Sequence, residues 1–104
     1  MSDTDIGGDL TITKTTRHCA GAGTWVFGRV AGHRFEGLVF PEHAFYPEFE
    51  IGQSRISKLW VQRLADRQTV FNWDRGADVA ATDEVAQVVV EFLAAGLADV
   101  VYPR

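Results

Sequence analysis

Four side chains are of the kind that hold a soft metal or act as an imidazole base or thiol nucleophile: His18, Cys19, His33 and His43. No two of them stand two or four residues apart, the spacings by which a strand or a helix presents a ligand pair on one side. No metal site is expected. Cys19 adjoins His18, but consecutive side chains diverge, and a lone small thiol more often packs as an apolar group. Ser54 and Ser57 near His43 are the other nucleophile candidates, and no GxSxG turn sharpens either. The glycine pairs in GGDLTITKT and CAGAGTW lack the GxxxxGK[ST] or GxGxxG pattern with a following helix, so no phosphate cradle is expected. Carboxylate pairs for glycoside chemistry can be drawn from Glu42, Glu48, Glu50 and Asp74, as from any acidic protein. In FNWDRG, Asp74 beside Arg75 suits recognition of a polar ligand, but the favoured role is a turn-fixing ion pair, because Asp and Gly are ordinary turn residues. His43, Asp74 and Arg75 converging at one end of a sheet would make a small ligand-binding or hydrolytic domain. No catalytic constellation stands out, and no cofactor is expected.

The stretch PEHAFYPEFE, Pro41 to Glu50, invites a different chemistry. It carries the rings of Phe45, Tyr46 and Phe49 and the carboxylates of Glu42, Glu48 and Glu50, with two prolines and no period of strand or helix. Displayed rings supply rigid contact area, carboxylates complement a basic surface, and prolines reduce the ordering cost of binding. The ordinary alternative is that Phe45 and Phe49 fold inward and plug one end of the sheet.

Charge is unevenly spread, which permits an acidic patch to meet a basic partner but on a small protein more often means two differently solvated faces. The net charge is −4, which disfavours non-specific duplex binding. Arg55, Lys58, Arg63, Arg67 and Arg75 face only Asp66 and Asp74 across 55–75, while 36–50 holds four acids and no Lys or Arg. Arg55, Lys58, Arg63 and Arg67 with Trp60 would suit nucleic acid, against the acidic total.

These residues need elements to hold them. A chain of 104 residues with 46% hydrophobic content is expected to be one domain with a real core. One cysteine excludes an internal disulfide. The start, MSDTDIGGDL, lacks the basic and apolar regions of a secretion signal, and residues 1–10 read as a flexible leader before a single domain over 11–104. No run of about 18 apolar residues occurs, so the expected setting is cytoplasmic.

Thr11 to Thr16 reads as an edge strand. Thr24 to Val30 and His33 to Phe40 form a hairpin around Ala31-Gly32. Trp25, Phe27 and Arg29 share one face of the first, opposite Val26, Gly28 and Val30. Phe35, Gly37 and Val39 oppose Arg34, Glu36, Leu38 and Phe40 in the second. Neither strand has a cleanly polar side, which predicts cover on both faces or a homodimer. Arg55 to Leu64 and Thr69 to Trp73 form a second hairpin, with Ser57, Leu59, Val61 and Arg63 opposite Ile56, Lys58, Trp60 and Gln62. WDRGADVAAT ends the sheet.

From Thr82 the period becomes 3.6. Thr82 is the expected N-cap, Val85, Val88, Val89, Phe92 and Leu93 the apolar stripe, and Gly96 the stop, with LADVVYPR packed along an edge. The expected fold is α+β: a four- or five-stranded antiparallel sheet with one C-terminal amphipathic helix, Thr82 to Ala95, on one face.

RISKLWV followed by FNWDRGAD, with EFEIGQS before them, resembles a family of small uncharacterised proteins from bacteria and their phages. That family carries Gly-Arg-Ile-Ser-Lys-Leu and Tyr-Asp-Arg-Gly-Trp-Asp segments. Arg55 to Leu59, Asp74 to Gly76 and Asp78 are the matching positions, and Asn72-Trp73 and Ala77 depart from the pattern. The likeness covers roughly residues 24 to 95 and implies a phage or mobile-element setting without a mechanism. Small acidic proteins of that setting are commonly stoichiometric inhibitors or adaptors, and those of defence systems often occlude nucleic-acid-binding surfaces. The expected function is a non-catalytic protein-binding module of anti-CRISPR-like type, acting on a protein with a basic surface through Glu42, Phe45, Tyr46, Glu48, Phe49 and Glu50. Asp74, Arg75, Arg55 and Lys58 are secondary candidates.

Overall fold

The change of period near Thr82 divides the chain into a sheet and a helix. The structure, a computed structural model, describes residues 10–17, 23–74 and 76–103, the side chain of Ala77 excepted. The leader expected at 1–10, apart from Leu10, lies outside the described residues, as do His18, Cys19 and Arg75. Strands β1 (Thr11–Arg17), β2 (Thr24–Val30), β3 (His33–Val39), β4 (Ile56–Arg63), β5 (Thr69–Asp74) and β6 (Ala77–Val79) precede helix α1 (Glu84–Val101). The strands pair antiparallel in chain order, with β1 at one edge as expected.

The sheet has six strands rather than four or five. The extra one is β6, three residues long, in the stretch read as the sheet's end. Asp74 N–H donates to Gly76 O at 3.0 Å, and Gly76 takes a φ of 145°, which turns the chain so that Ala77 meets Trp73 and Val79 meets Asn72. The β2–β3 turn is the expected one. Ala31 (φ 52°) and Gly32 (φ 72°) both occupy the left-handed region, and this two-residue turn matches the twist of its strands.

Alternation sorts each strand's side chains except where a bulge shifts the register. Val26, Val30, Phe35, Val39, Leu59, Val61 and Val70 turn to the helix and are buried. Ile56 joins them, contrary to its expected place beside Lys58 and Trp60. A bulge between Leu38 and Val39 skips Ser57, so the parity of β4 changes there.

Helix α1 starts one residue later than expected. Asp83, not Thr82, is the N-cap, its carboxylate accepting from Ala86 N–H at 2.8 Å. The helix runs through Gly96 to Val101, so the tail is helical rather than laid along an edge. Tyr102 hydroxyl and Thr24 hydroxyl share a 2.8 Å hydrogen bond that pins this end to β2. The buried stripe is Ala86, Val89, Val90, Leu93, Leu97 and Ala98. Val89 and Leu93 were expected there and Phe92 packs partly against it, but Val85 and Val88 are exposed. Valines surround this helix, so its spacing admits a second stripe, and contact with β3, β4 and β5 selects between them. Replacing Leu93 or Leu97 by Ala would cost about 2 to 5 kcal/mol.

The opposite face of the sheet has no second layer among the described residues. Trp25, Phe27 and Trp60 stay half-buried there, and cover is confined to the end where the β3–β4 connection lies.

Candidate functional site

The connection from Phe40 to Arg55 is the longest between neighbouring strands, in the length range where loops are usually functional. Its path is set by one acid. Glu50 is 4% exposed, and its carboxylate accepts from Arg55 N–H (2.7 Å), His43 Nδ1–H (3.0 Å) and Ala44 N–H (2.6 Å). Burial pushes this carboxyl up, but the bonds from His43, Arg55 and Ala44 and the charge of His43 outweigh it and hold it below its ordinary value.

Arg55 completes the clasp. It is 5% exposed, sits in the left-handed region at φ 64°, and donates from Nη1 to Pro41 O at 3.1 Å and from Nη2 to Asp99 of α1. A bulky residue holds that backbone conformation only where its surroundings over-determine it. Ser54 Oγ accepts from Ile56 N–H at 3.0 Å, and Phe40 N–H donates to Arg55 O at 2.9 Å, closing the loop's base.

Above this base the chain makes a single 3₁₀ turn, Pro47–Phe49. Phe45 and Tyr46 meet edge to face at 4.9 Å, and Tyr46 and Phe49 at 5.3 Å. Phe45 is 89% exposed and Tyr46 51%, so these two rings do not plug the sheet; Phe49 is half-buried. Glu42 and Glu48 are exposed beside them. Between the loop and the end of the sheet lies a cleft of about 580 Å³, lined by Leu38, Phe40, His43, Tyr46, Phe49 and Lys58 among others.

Glu50 is therefore not a surface charge. Its oxygens are consumed inside the loop, and the accessible acids are Glu42 and Glu48. Arg55 likewise faces inward, and Lys58 pairs with Asp74 at 3.7 Å on the outer sheet face. His43 and Lys58 line the cleft and Asp74 does not, although Asp74 pairs with Lys58, and Arg75 lies outside the described residues. The cations suggested for nucleic acid are dispersed as well. Arg63 grips Asp66 (2.8 and 3.1 Å) and the N-cap Asp83 (2.7 Å), which holds Asp66 below its ordinary value and raises Arg63. Arg67 occupies the β4–β5 turn at φ 59°. Among the described residues, no three His, Cys, Asp or Glu side chains are placed to hold a metal ion, and no helix is long and apolar enough to cross a membrane.

Sequence reasoning missed the inward roles of Glu50, Arg55 and Asp99. The available signal was Gly52 and Ser54, turn formers directly before a strand, with Glu50 flanked by Phe49 and Ile51.

No curated protein and no solved structure matches the chain. A match to a domain of unknown function, DUF7678, covers residues 24–98, from the start of β2 into the last turns of α1 and including the whole clasped loop. The chain belongs to that uncharacterised domain family.

Proposed function

We propose that this protein is a non-catalytic binding module that presents Phe45, Tyr46 and Phe49 to a protein partner with a basic surface. The observation that carries the reading is an exposed ring cluster on a loop whose base is locked from within by Glu50 and Arg55. Order already present in the free protein does not have to be imposed by the partner. Aromatic side chains dominate binding energy, and the exposed Glu42 and Glu48 steer a basic surface toward them. With the phage or mobile-element setting implied by RISKLWV and FNWDRGAD, the partner is a host complex directed at nucleic acid, occupied stoichiometrically by an anti-CRISPR-like inhibitor in the cytoplasm.

The test is affinity capture from a bacterial host lysate. The bait is wild type and a Phe45→Ala, Tyr46→Ala, Glu48→Lys variant, both first shown to fold by circular dichroism. A stoichiometric protein retained by the wild type and lost by the variant is expected. Equal retention by both overturns the loop's role.

The cleft favours a second reading. Its volume, about 580 Å³, lies in the range of small-molecule sites, and His43 and Lys58 offer it polar groups. Capture of no partner by either bait, with a thermal shift on small anionic ligands that Lys58→Ala abolishes, would replace the first reading by this one.

A further inference from the structure

The outer face of the sheet carries charge of the opposite sign to the chain as a whole. The protein is formally −4, yet the outward positions of β1 to β5 hold Lys14, Arg29, Arg34 and Lys58 against Glu36 and Asp74. Arg34 pairs with Glu36, and Lys58 with Asp74, at 3.7 Å each. Lys14 and Arg29 are exposed and have no carboxylate partner among the described residues. Lys14 owes its place to a bulge. Pairing passes from Ile12 opposite Gly28 to Lys14 opposite Phe27, skipping Thr13; in unbroken register Lys14 would take the parity of Val26 and turn to the core.

Rings stand among these cations. Trp25 and Phe27 are 6.4 Å apart with 28° between their planes. Lys14 Nζ lies 5.7 Å from the Phe27 centroid, and the Arg34 guanidinium 5.0 Å from that of Trp60. Trp60 is oriented by its Nε1–H, which donates to Thr69 Oγ1 at 3.1 Å. A groove of about 500 Å³ runs among Thr13, Lys14, Phe27, Arg29, Arg34 and Glu36.

We propose that this face is a platform for single-stranded nucleic acid, with bases stacked on Trp25, Phe27 and Trp60 and phosphates taken by Lys14, Arg29 and Arg34. Stacking on aromatic rings beside a cationic groove is the general means of holding a single strand without reading its sequence. In the free protein Lys14 and Arg34 lie over two of the rings. Both are exposed on flexible stems, so a base can take the ring face while the cation moves to the adjoining phosphate. A duplex hides its base faces and meets the net negative charge, so it is excluded. The inference does not rest on the loop, which covers the opposite end of this face from the groove.

The test is fluorescence anisotropy of labelled dT and U oligomers of about 12 nucleotides, a length within reach of one such domain, and of a duplex of the same length. Wild type is expected to bind both single strands in preference to the duplex, with affinity falling as salt rises. Trp60→Ala is expected to weaken binding roughly tenfold. The double change Lys14→Glu, Arg29→Glu sits on exposed side chains, preserves the fold, and is expected to abolish binding; Gln87→Ala on the helix is the control. Preference for dT or for U assigns DNA or RNA as the natural strand. Absence of binding by folded wild type, equal binding of the duplex, or indifference to the Lys14 and Arg29 exchange overturns the proposal. So does a wild-type dimer in size-exclusion chromatography that the same exchange dissolves, because a second copy would then occupy the face.

Discussion

The β3–β4 loop and the outer face of the sheet both display aromatic rings among charges, by opposite means. On the sheet, alternation alone sets Trp25, Phe27 and Trp60 outward, and the backbone that holds them is secured by the ladder. In the loop no ladder exists, and Phe45 and Tyr46 are held out by a buried carboxylate and a strained arginine beneath them. Display from a sheet is therefore robust to single substitutions and to pH, whereas display from the loop depends on two residues. The signs differ too: the loop's accessible charges are acidic, and those in excess on the sheet are basic.

The largest expected effect attacks the clasp. Glu50→Ala leaves the N–H groups of Arg55 and Ala44 without their acceptor and should cost about 3 kcal/mol, read as a fall in melting temperature. Hydrogen exchange should rise most across 41–55, and β2 and β3 should lose protection only by the fall in global stability. An unaltered melting temperature would remove the contrast between the two regions.

Acid should separate them next. Glu50 has a depressed pKa when folded, so its stabilising contribution is present above the unfolded value of about 4.3 and is lost as pH falls through the folded one. Asp66, held low by Arg63, has the same sign at the far end of β4. The amide resonances of Ala44 and Arg55 should titrate together below the ordinary glutamate range, and Glu50→Gln should abolish that step. A step at or above the ordinary range would show that the clasp does not hold the carboxyl in its ionised form.

Glu48→Lys sharpens the contrast within the loop. Glu48 is exposed, so stability should stay within about 0.5 kcal/mol of wild type, while association with the captured partner slows roughly tenfold. Glu50→Lys should instead unfold the loop. The smallest effect lies in α1, which supplies Asp99 to the clasp. A Cβ at Gly96 would meet nothing within 4 Å, so Gly96→Ala should stabilise the helix by about 0.5 to 1 kcal/mol, measured by chemical denaturation.

Much of the sheet was legible because strand alternation and the Ala31-Gly32 turn are local signals. The end of α1 was not: Gly96 reads as a stop, and burial of Leu97 and Ala98 with the Tyr102 to Thr24 bond carries the helix past it. β6 was missed because three residues are too few to show a period. Within the loop, the rings were recognisable by composition, but Glu50 and Glu48 are the same residue type two positions apart. Which one turns inward is decided by donors at Ala44 and Arg55, and neither is visible to a local reading.

The order of the strands bears on how the chain reaches this state. Every strand pairs with its neighbour in sequence, so β2–β3 and β4–β5 can zip independently, and the sheet is completed by closing the segment 40–55 between them. Closure entropy grows slowly with length, about 0.6 kcal/mol for each doubling. The tip that carries Phe45 and Tyr46 is thus expected to tolerate insertions and altered composition, provided Glu50 and Arg55 remain to close it. A loop placed at a folding junction can diversify quickly without endangering the scaffold.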